Sequence, residues 1–408
     1  MIKFALIKER KTPPDRRVVF SPEKLREAAS IFPEAGFKVE ASEVRIFKDA
    51  EYTAAGFEVA NDVSDCDVML GVKEVPVNYL IPNKKYFFFS HTIKKQPYNR
   101  NLLRAVLEKN IELFDHEVIV KDNNQRLIGF GRYAGLVGAY NGIRGLGLKD
   151  GNFNLPKAEE LSGLDAMLLE LDRIKLPVKK ILLTGSGKVA HGAREILDHL
   201  NVEQVDVESY LTKEYDHPVY CLIDVMDYNK RKDGNTGSNN EFYNNPGEYT
   251  SNFMRFAKLT NIFIAGHFYG TGAPLFFTKE EARSPDFNIE LIADISCDID
   301  GPIASTIRSS TIADPFYGYD RNTGTEIDFR SKNAITVMAV DNLPCELPRD
   351  ASEGFGDMFL EHVIPAFFNQ DKDGILARAK MTENGKLTPK FQYLQEYVDG
   401  EPKKNEYA

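Results

Sequence analysis

Lys180-Ile-Leu-Leu-Thr-Gly185-Ser-Gly187-Lys-Val-Ala190-His-Gly192 is the stretch on which the reading of the fold turns. Ile181, Leu182 and Leu183 make a short apolar strand, and a glycine turn follows at once. Beyond the turn Val189, Ala193, Ile196, Leu197 and Leu200 share one face at helical spacing. A second strand is expected over Gln204-Val-Asp206-Val-Glu208, which sets acids about 20 residues past the turn. Strand, glycine turn, helix and acid in that order are the dinucleotide-binding arrangement. Gly185 permits the tight turn, and Gly187 lets backbone N–H groups approach a pyrophosphate at the helix N-terminus. Gly185, Ser186, Gly187, Lys188 and Val189 are therefore the expected cofactor-binding run, with Ala190 at the third glycine position. Asp206 or Glu208 would accept the ribose hydroxyls, and the two remain alternatives. The competing reading is a glycine turn in an ordinary α/β sheet.

Working outward, the chain has 408 residues, too many for one ordinary domain, and 42% of them are hydrophobic, enough for two cores. A net charge of −10 argues against a nucleic-acid or acidic-membrane partner, since phosphate binding needs a basic surface. There is no apolar run of about 18 residues, so no membrane span is expected. Met1-Ile-Lys-Phe-Ala-Leu-Ile enters a strand directly, with no signal-peptide pattern. Cys66, Cys221, Cys297 and Cys345 are scattered and read as reduced core thiols rather than a zinc site or disulfide frame. The expectation is a soluble cytoplasmic protein without a metal.

The first part of the chain alternates helix and strand. Ser21 and Pro22 open a helix whose apolar face is Leu25, Ala28, Ala29 and Phe32, with Gly36 as its stop. Strand-like runs follow at Asp67–Val72, Tyr86–Phe89 and Ile111–Phe114, each ending in polar residues. Small residues cluster from Gly129 to Gly147, which fits either a hinge or a close helix crossing. Later come a polar, Asn- and Gly-rich loop over 229–251, expected to be mobile, then buried strands at Asn261–Ala265, Leu291–Ile295 and Ala334–Ala339. Helices close the chain, with Phe355, Met358, Phe359 and Val363 on one face. The alternation implies an α/β protein of two doubly wound parallel-sheet, Rossmann-like domains facing a cleft.

Chemistry is expected at the strand ends. Lys73 follows a buried strand, where desolvation lowers an ammonium pKa and makes a usable base. His91 follows Tyr86-Phe-Phe-Phe-Ser90 and titrates near neutrality unaided. Taken singly, each also reads as a snorkelling lysine or a loop-capping histidine. Acids Glu74 and Glu117 and cations Arg17 and Arg126 lie beside strand ends too; a guanidinium holds a carboxylate bidentately, although surface ion pairing is the alternative for each. His116, His191 and His199 are weaker candidates, and His267 with Tyr269 follows a buried strand.

Gly71-Val-Lys-Glu-Val-Pro76, Phe88-Phe-Ser-His-Thr-Ile-Lys94, Gly129-Phe-Gly-Arg-Tyr-Ala-Gly135, Thr184-Gly-Ser-Gly-Lys-Val189, Asp341-Asn-Leu-Pro-Cys-Glu-Leu-Pro-Arg-Asp-Ala-Ser352, Glu353-Gly-Phe-Gly-Asp-Met358 and Gly385-Lys-Leu-Thr-Pro-Lys-Phe-Gln-Tyr-Leu-Gln395 resemble, in order, the lysine-forming saccharopine dehydrogenases. The likeness is closest to the lysine–ketoglutarate reductase half of α-aminoadipic semialdehyde synthase, and extends distantly to alanine dehydrogenase and transhydrogenase. It implies reversible, NAD(P)-linked conversion of saccharopine to L-lysine and 2-oxoglutarate. On that resemblance Lys73 takes the amine proton and His91 moves protons during imine hydrolysis. Glu74 and Glu117 tune those bases, Arg17 and Arg126 bind substrate carboxylates, and Asp341 lies near the nicotinamide.

The resemblance also implies a substrate domain of residues 1–140 completed by 345–408, around a dinucleotide domain of 141–344. Glu74 follows the single-function fungal-type enzymes rather than the reductase half. A fungal-type cysteine pair near the nucleotide is absent, Val189 and Gly266 standing there, and no second half for onward oxidation is expected. An acid near the ribose favours NAD, with NADP as the alternative, because the reductase half generally uses NADPH and Lys213 or the 229–251 lysines stand nearby. The other functional readings are an alanine-dehydrogenase-like oxidoreductase and a non-catalytic nucleotide sensor. Direction and oligomeric state are not legible in the sequence.

Overall fold

In the computed structural model, which describes residues 1–270 and 272–400, six strands form one parallel sheet. They are β1 (Ile2–Leu6), β2 (Ala35–Glu40), β3 (Glu58–Ala60), β4 (Val68–Leu70), β5 (Lys85–Phe88) and β6 (Glu112–Asp115), in the order β3-β2-β1-β4-β5-β6. The sheet belongs to the first of two compact units, Met1–Gly129 with Pro348–Ala408; the second is Phe130–Leu347. The sequence reading put these boundaries at 140 and 345, yet residue 140 lies inside one unbroken helix, Gly131–Asp150. Residues 401–408 of the expected first domain lie outside the described residues.

Ser21 caps the helix Pro22–Ile31, its side chain accepting from the Lys24 N–H at 3.2 Å, and Leu25 and Ala28 are buried. Gly36 does not stop this helix but sits in β2. The stop is Pro33: the residue before a proline is pushed out of the α region, and Phe32 has φ −120° and ψ 76°. The helix Pro348–His362 packs back into this unit, with Phe359 edge-on to Phe20 and Phe87 at 5.6 and 5.8 Å. The Ser352 hydroxyl accepts the Val18 N–H at 3.0 Å.

The second unit holds an eight-stranded sheet. Its strands are β7 (Lys180–Thr184), β8 (Glu203–Gln204), β9 (Val219–Ile223), β12 (Ile262–Ala265), β13 (Leu291–Asp294), β14 (Phe316–Asp320), β15 (Glu326–Ile327) and β16 (Ala334–Met338). The order is β15-β14-β16-β13-β12-β7-β9-β8, so β9 rather than β8 lies beside β7. The sheet is mixed, not wholly parallel, because β14 runs antiparallel to both β15 and β16. The fold class is α/β, with one parallel and one mixed sheet.

The small residues of Gly131–Asp150 serve a helix crossing. A Cβ at Gly135 would lie 1.9 Å from the Val189 carbonyl oxygen, and one at Gly192 2.0 Å from that of Arg132, so any larger residue drives the helices apart. The polar stretch 229–251 is a folded ribbon: β10 (Asn229–Arg231) pairs antiparallel with β11 (Tyr249–Ser251), and a short helix spans Asn239–Asn244. The reason is two aromatic anchors that the polar composition hides. Phe242 and Tyr249 are buried in this unit's core with ring centroids 5.1 Å apart. Near the C-terminus β17 (Thr382–Glu383) and β18 (Lys386–Leu387) form a hairpin beneath Leu113, whose N–H donates to the Thr382 hydroxyl. Among the described residues no helix is long and apolar enough to cross a membrane.

Candidate functional site

The strand order of the first sheet reverses between β1 and β4, and ligands of such sheets bind at the carboxyl ends on either side of that reversal. Glu9, Lys11, Asp15 and Arg17 lie just past β1. Lys73 and Glu74 follow β4, His91 follows β5, and Glu117 follows β6.

Glu74 and His91 meet. His91 Nδ1 is 2.7 Å from Glu74 Oε1, and Lys11 Nζ lies 2.9 Å from Glu74 Oε2. Burial pushes the Glu74 carboxyl up, but hydrogen bonds from His91 and Lys11 outweigh it and hold the pKa at about 2. An ionised carboxylate only accepts, so Nδ1 carries the proton and Nε2 of a neutral ring is left as the acceptor. His91 adopts a left-handed backbone, φ 53°, a conformation that non-glycine residues hold only when their surroundings impose it.

Lys73 lies partly buried beside two acids. Burial is the main influence lowering its pKa, and the Arg17 charge acts in the same sense. Glu9 accepts the N–H groups of Val72 and Lys73 at 2.7 and 2.9 Å, which holds the turn carrying Lys73. Its own carboxyl is pushed to about 8 by burial and by Asp15, so near neutrality it is largely protonated. Arg17 is 3% exposed and forks onto Asp15, Nε at 3.0 Å and a terminal nitrogen at 2.6 Å. Burial opposes the Asp15 charge, but Arg17 outweighs it and holds the pKa at about 2. The expected carboxylate receptor thus already carries a carboxylate. Arg126, half exposed, lies 3.3 Å from Glu117 Oε1, and Lys94 3.4 Å from the same oxygen.

Beneath this layer His116 is fully buried, with Nε2 2.8 Å from the Gly71 carbonyl oxygen. A carbonyl accepts, so the ring is the Nε2–H tautomer; burial drives its pKa down to about 3 and keeps it neutral. Phe89 and Phe355 hold it edge-on at 4.9 and 5.1 Å. Asp115 accepts the Ser90 and Glu117 N–H groups at 3.0 and 2.7 Å, tying the loops after β5 and β6 together. Sequence reasoning passed over Glu9, Lys11, Asp15 and Asp115. The available signal was the charged run Lys8-Glu-Arg-Lys11 directly after the first strand.

In the second unit Gly185 has φ 107°, and a Cβ on it would lie 2.4 Å from the Gly266 carbonyl oxygen, so glycine is required. Gly187 caps the helix Lys188–His199 without a side chain, and a Cβ there would project into open space. First-turn amides have no partner within their own helix, and the space beside Gly187 is open. Ser186 and Lys188 are exposed, Val189 is half-buried, and Ala190 is buried. His267 is 8% exposed; its Nδ1 lies 2.9 Å from the Thr184 hydroxyl, while Nε2 is buried with no partner among the described residues. Burial lowers its pKa to about 3, so it adds no charge. The residues present fit a dinucleotide.

Two expected cofactor residues are placed differently. The strand foreseen over 204–208 ends at Gln204, because Asp206 turns the chain into the helix Val207–Thr212, accepting the Ser209 N–H at 2.9 Å and its hydroxyl at 3.0 Å. Glu208 is exposed in that helix's first turn. Both follow the edge strand β8, with β9 between them and β7. Asp341 is exposed, just past β16.

Residues 5–137 match the alanine dehydrogenase/PNT N-terminal domain. The chain is 29% identical to the mitochondrial α-aminoadipic semialdehyde synthase of Mus musculus, over 93% of its own length and 46% of that protein's. It is 24% identical to the saccharopine dehydrogenase [NAD(+), L-lysine-forming] of Schizosaccharomyces pombe, over 86% of this chain and 90% of that one. Over most of its length the chain is thus similar to proteins that carry these activities in their names. It spans less than half the length of the mouse protein. An L-alanine dehydrogenase structure shares the fold at TM-score 0.66 and 17% identity, covering 97% of this chain and all of that one.

Proposed function

We propose that this chain is a nicotinamide-dependent oxidoreductase acting on a CH–NH donor, interconverting saccharopine with L-lysine and 2-oxoglutarate, with NAD as the cofactor. The observation that carries the reading is the Glu74–His91 pair beside a lysine disfavoured in its charged form, at the reversal of the first sheet. The similarity to saccharopine dehydrogenases over most of the chain supports it. Four free cysteines accord with a reducing compartment, and we place the protein in the cytoplasm.

Each unit has its own task. Gly185, Ser186, Gly187, Lys188 and Val189 would hold a pyrophosphate on backbone amides, and on the resemblance Asp341 would stand on the nicotinamide side. When bound, a nicotinamide would supply the hydride acceptor for the carbon beside the secondary amine of saccharopine. Lys73, uncharged when its proton is off, takes the amine proton as the C=N bond forms. His91 Nε2 takes a proton from water as the oxygen adds to the imine carbon, while Glu74 steadies the imidazolium through Nδ1. The same proton returns to the departing lysine nitrogen, and His91, neutral again, takes the carbinolamine O–H proton as the C–N bond breaks, leaving 2-oxoglutarate. Arg126 is the guanidinium open enough to meet a substrate carboxylate, and Arg17 fixes Asp15 and keeps positive charge near Lys73. Glu117 sets the position of Arg126.

The test follows nicotinamide absorbance with lysine plus 2-oxoglutarate against pyruvate plus ammonia. Consumption with the first pair is the expected result. Consumption only with the second would mark an alanine-dehydrogenase-type enzyme, and cofactor binding without turnover across amines and keto acids would mark a sensor.

A further inference from the structure

The second sheet reads 2-3-1-4-5-6 when its parallel strands are numbered in chain order from β7, where the usual dinucleotide order is 3-2-1-4-5-6. The ribose-reading acid of that fold works because it ends the strand next to the glycine-turn strand. Here that neighbour is β9, the third strand in sequence. Thr184 at the end of β7 stands opposite Ile223 at the end of β9, and the Gly185 N–H donates to the Ile223 carbonyl oxygen at 3.3 Å. The next residue is Asp224.

We propose that Asp224, rather than Asp206 or Glu208, reads the adenosine ribose and selects NAD over NADP. The inference rests on the reading that the second unit holds a nicotinamide dinucleotide. Asp224 is half-buried and held in place. One carboxylate oxygen accepts the Met226 N–H at 3.4 Å, capping the turn Val225–Tyr228, and the other accepts the Asn239 side-chain amide at 2.8 Å. Each oxygen keeps a second lone pair for the vicinal hydroxyls of a ribose. A 2′-phosphate in the same place meets a carboxylate of like charge. Two of the three basic residues that follow are drawn elsewhere: Arg231 pairs with Asp233 at 2.6 Å and with Glu241, and Lys232 donates to the Gly247 carbonyl at 2.6 Å, while Lys230 is exposed. The Asn239 contact also gives the 229–251 ribbon a task, since the short helix it carries braces the carboxylate.

The test measures dissociation constants of NADH and NADPH by titration calorimetry on the full chain, wild type and variants, without turnover. The wild type is expected to prefer NADH by roughly tenfold to a hundredfold, the worth of charge-assisted hydrogen bonds. Asp224→Asn keeps an acceptor for the cap and removes the charge, so it should narrow that ratio about tenfold. Asp224→Ser is the second variant, read alongside thermal melting in case the turn loosens. Asp206→Ala and Glu208→Ala should leave the ratio unchanged. A ratio that moves with Asp206 or Glu208 and not with Asp224 overturns the assignment, as does a wild-type preference for NADPH that neither Asp224 variant alters. If neither dinucleotide binds the wild type, the dinucleotide reading of the second unit fails and takes this assignment with it.

Discussion

Glu74→Gln is the substitution whose consequence can be worked furthest. The Glu74 carboxyl is held at about 2 against an ordinary value of 4.5, a preference for the ionised folded form of about 3 kcal/mol. Glu74 is 10% exposed, but its partner Lys11 is 39% exposed, so solvent screens that part and about 2 kcal/mol is the expected loss. The sign follows from the direction of the shift. A carboxyl whose pKa is lowered by folding stabilises fully above its unfolded value near 4.5, and the contribution fades as the pH falls towards about 2. Glutamine has the same shape and can still accept from His91 Nδ1, so the comparison isolates charge. Urea unfolding of wild type and Glu74→Gln at pH 7, 5, 4 and 3 is the assay, and the first unit's contribution can be resolved by hydrogen exchange in peptides that span β4 and β5. The difference should be about 2 kcal/mol at pH 7 and should shrink to roughly half or less at pH 3. Equal stability at pH 7, or a difference that does not change with pH, would show that the bridge from His91 to Lys11 does not hold the charge.

Lys73→Met should lower kcat far more than it raises KM, by roughly 10²–10⁴-fold, in steady-state assays; a near-wild-type rate would remove it as the base. His91→Gln should depress the rate and remove one limb of the pH–rate profile, and an unchanged profile would return His91 to a structural role. Gly192→Ala places a Cβ 2.0 Å from the Arg132 carbonyl and should destabilise by about 3 kcal/mol or more, seen as a lower Tm. Gly187→Ala meets no atom within 4 Å, so it should leave Tm unaltered while weakening NADH binding in the calorimeter.

What could be read from the chain alone was what its local chemistry forces. A turn with φ 107° and backbone pressed against it admits only glycine, so Gly185 announced the nucleotide strand without any knowledge of its neighbours. Lys73, Glu74 and His91 were visible as polar residues directly after apolar strands, although each also had an ordinary structural reading and only the resemblance gave them roles. The helix caps at Ser21 and the apolar faces of the later helices were legible for the same reason: they depend on residues within a turn or two of each other. Strand adjacency is different. β9 lies beside β7 through long-range backbone bonding and the burial of Tyr210, Cys221 and Phe253, and nothing periodic in Gln204–Glu208 or Val219–Asp224 tells which will be the neighbour. Tertiary structure alone therefore put Asp224, rather than Asp206, just past the strand that neighbours β7. It likewise folded the polar 229–251 stretch on two buried rings, and set Glu9 against the amides of Val72 and Lys73, 63 and 64 residues away. Local sequence dictates which residues can make a turn or a base; which of them meet is decided by the packing of segments that the sequence keeps apart.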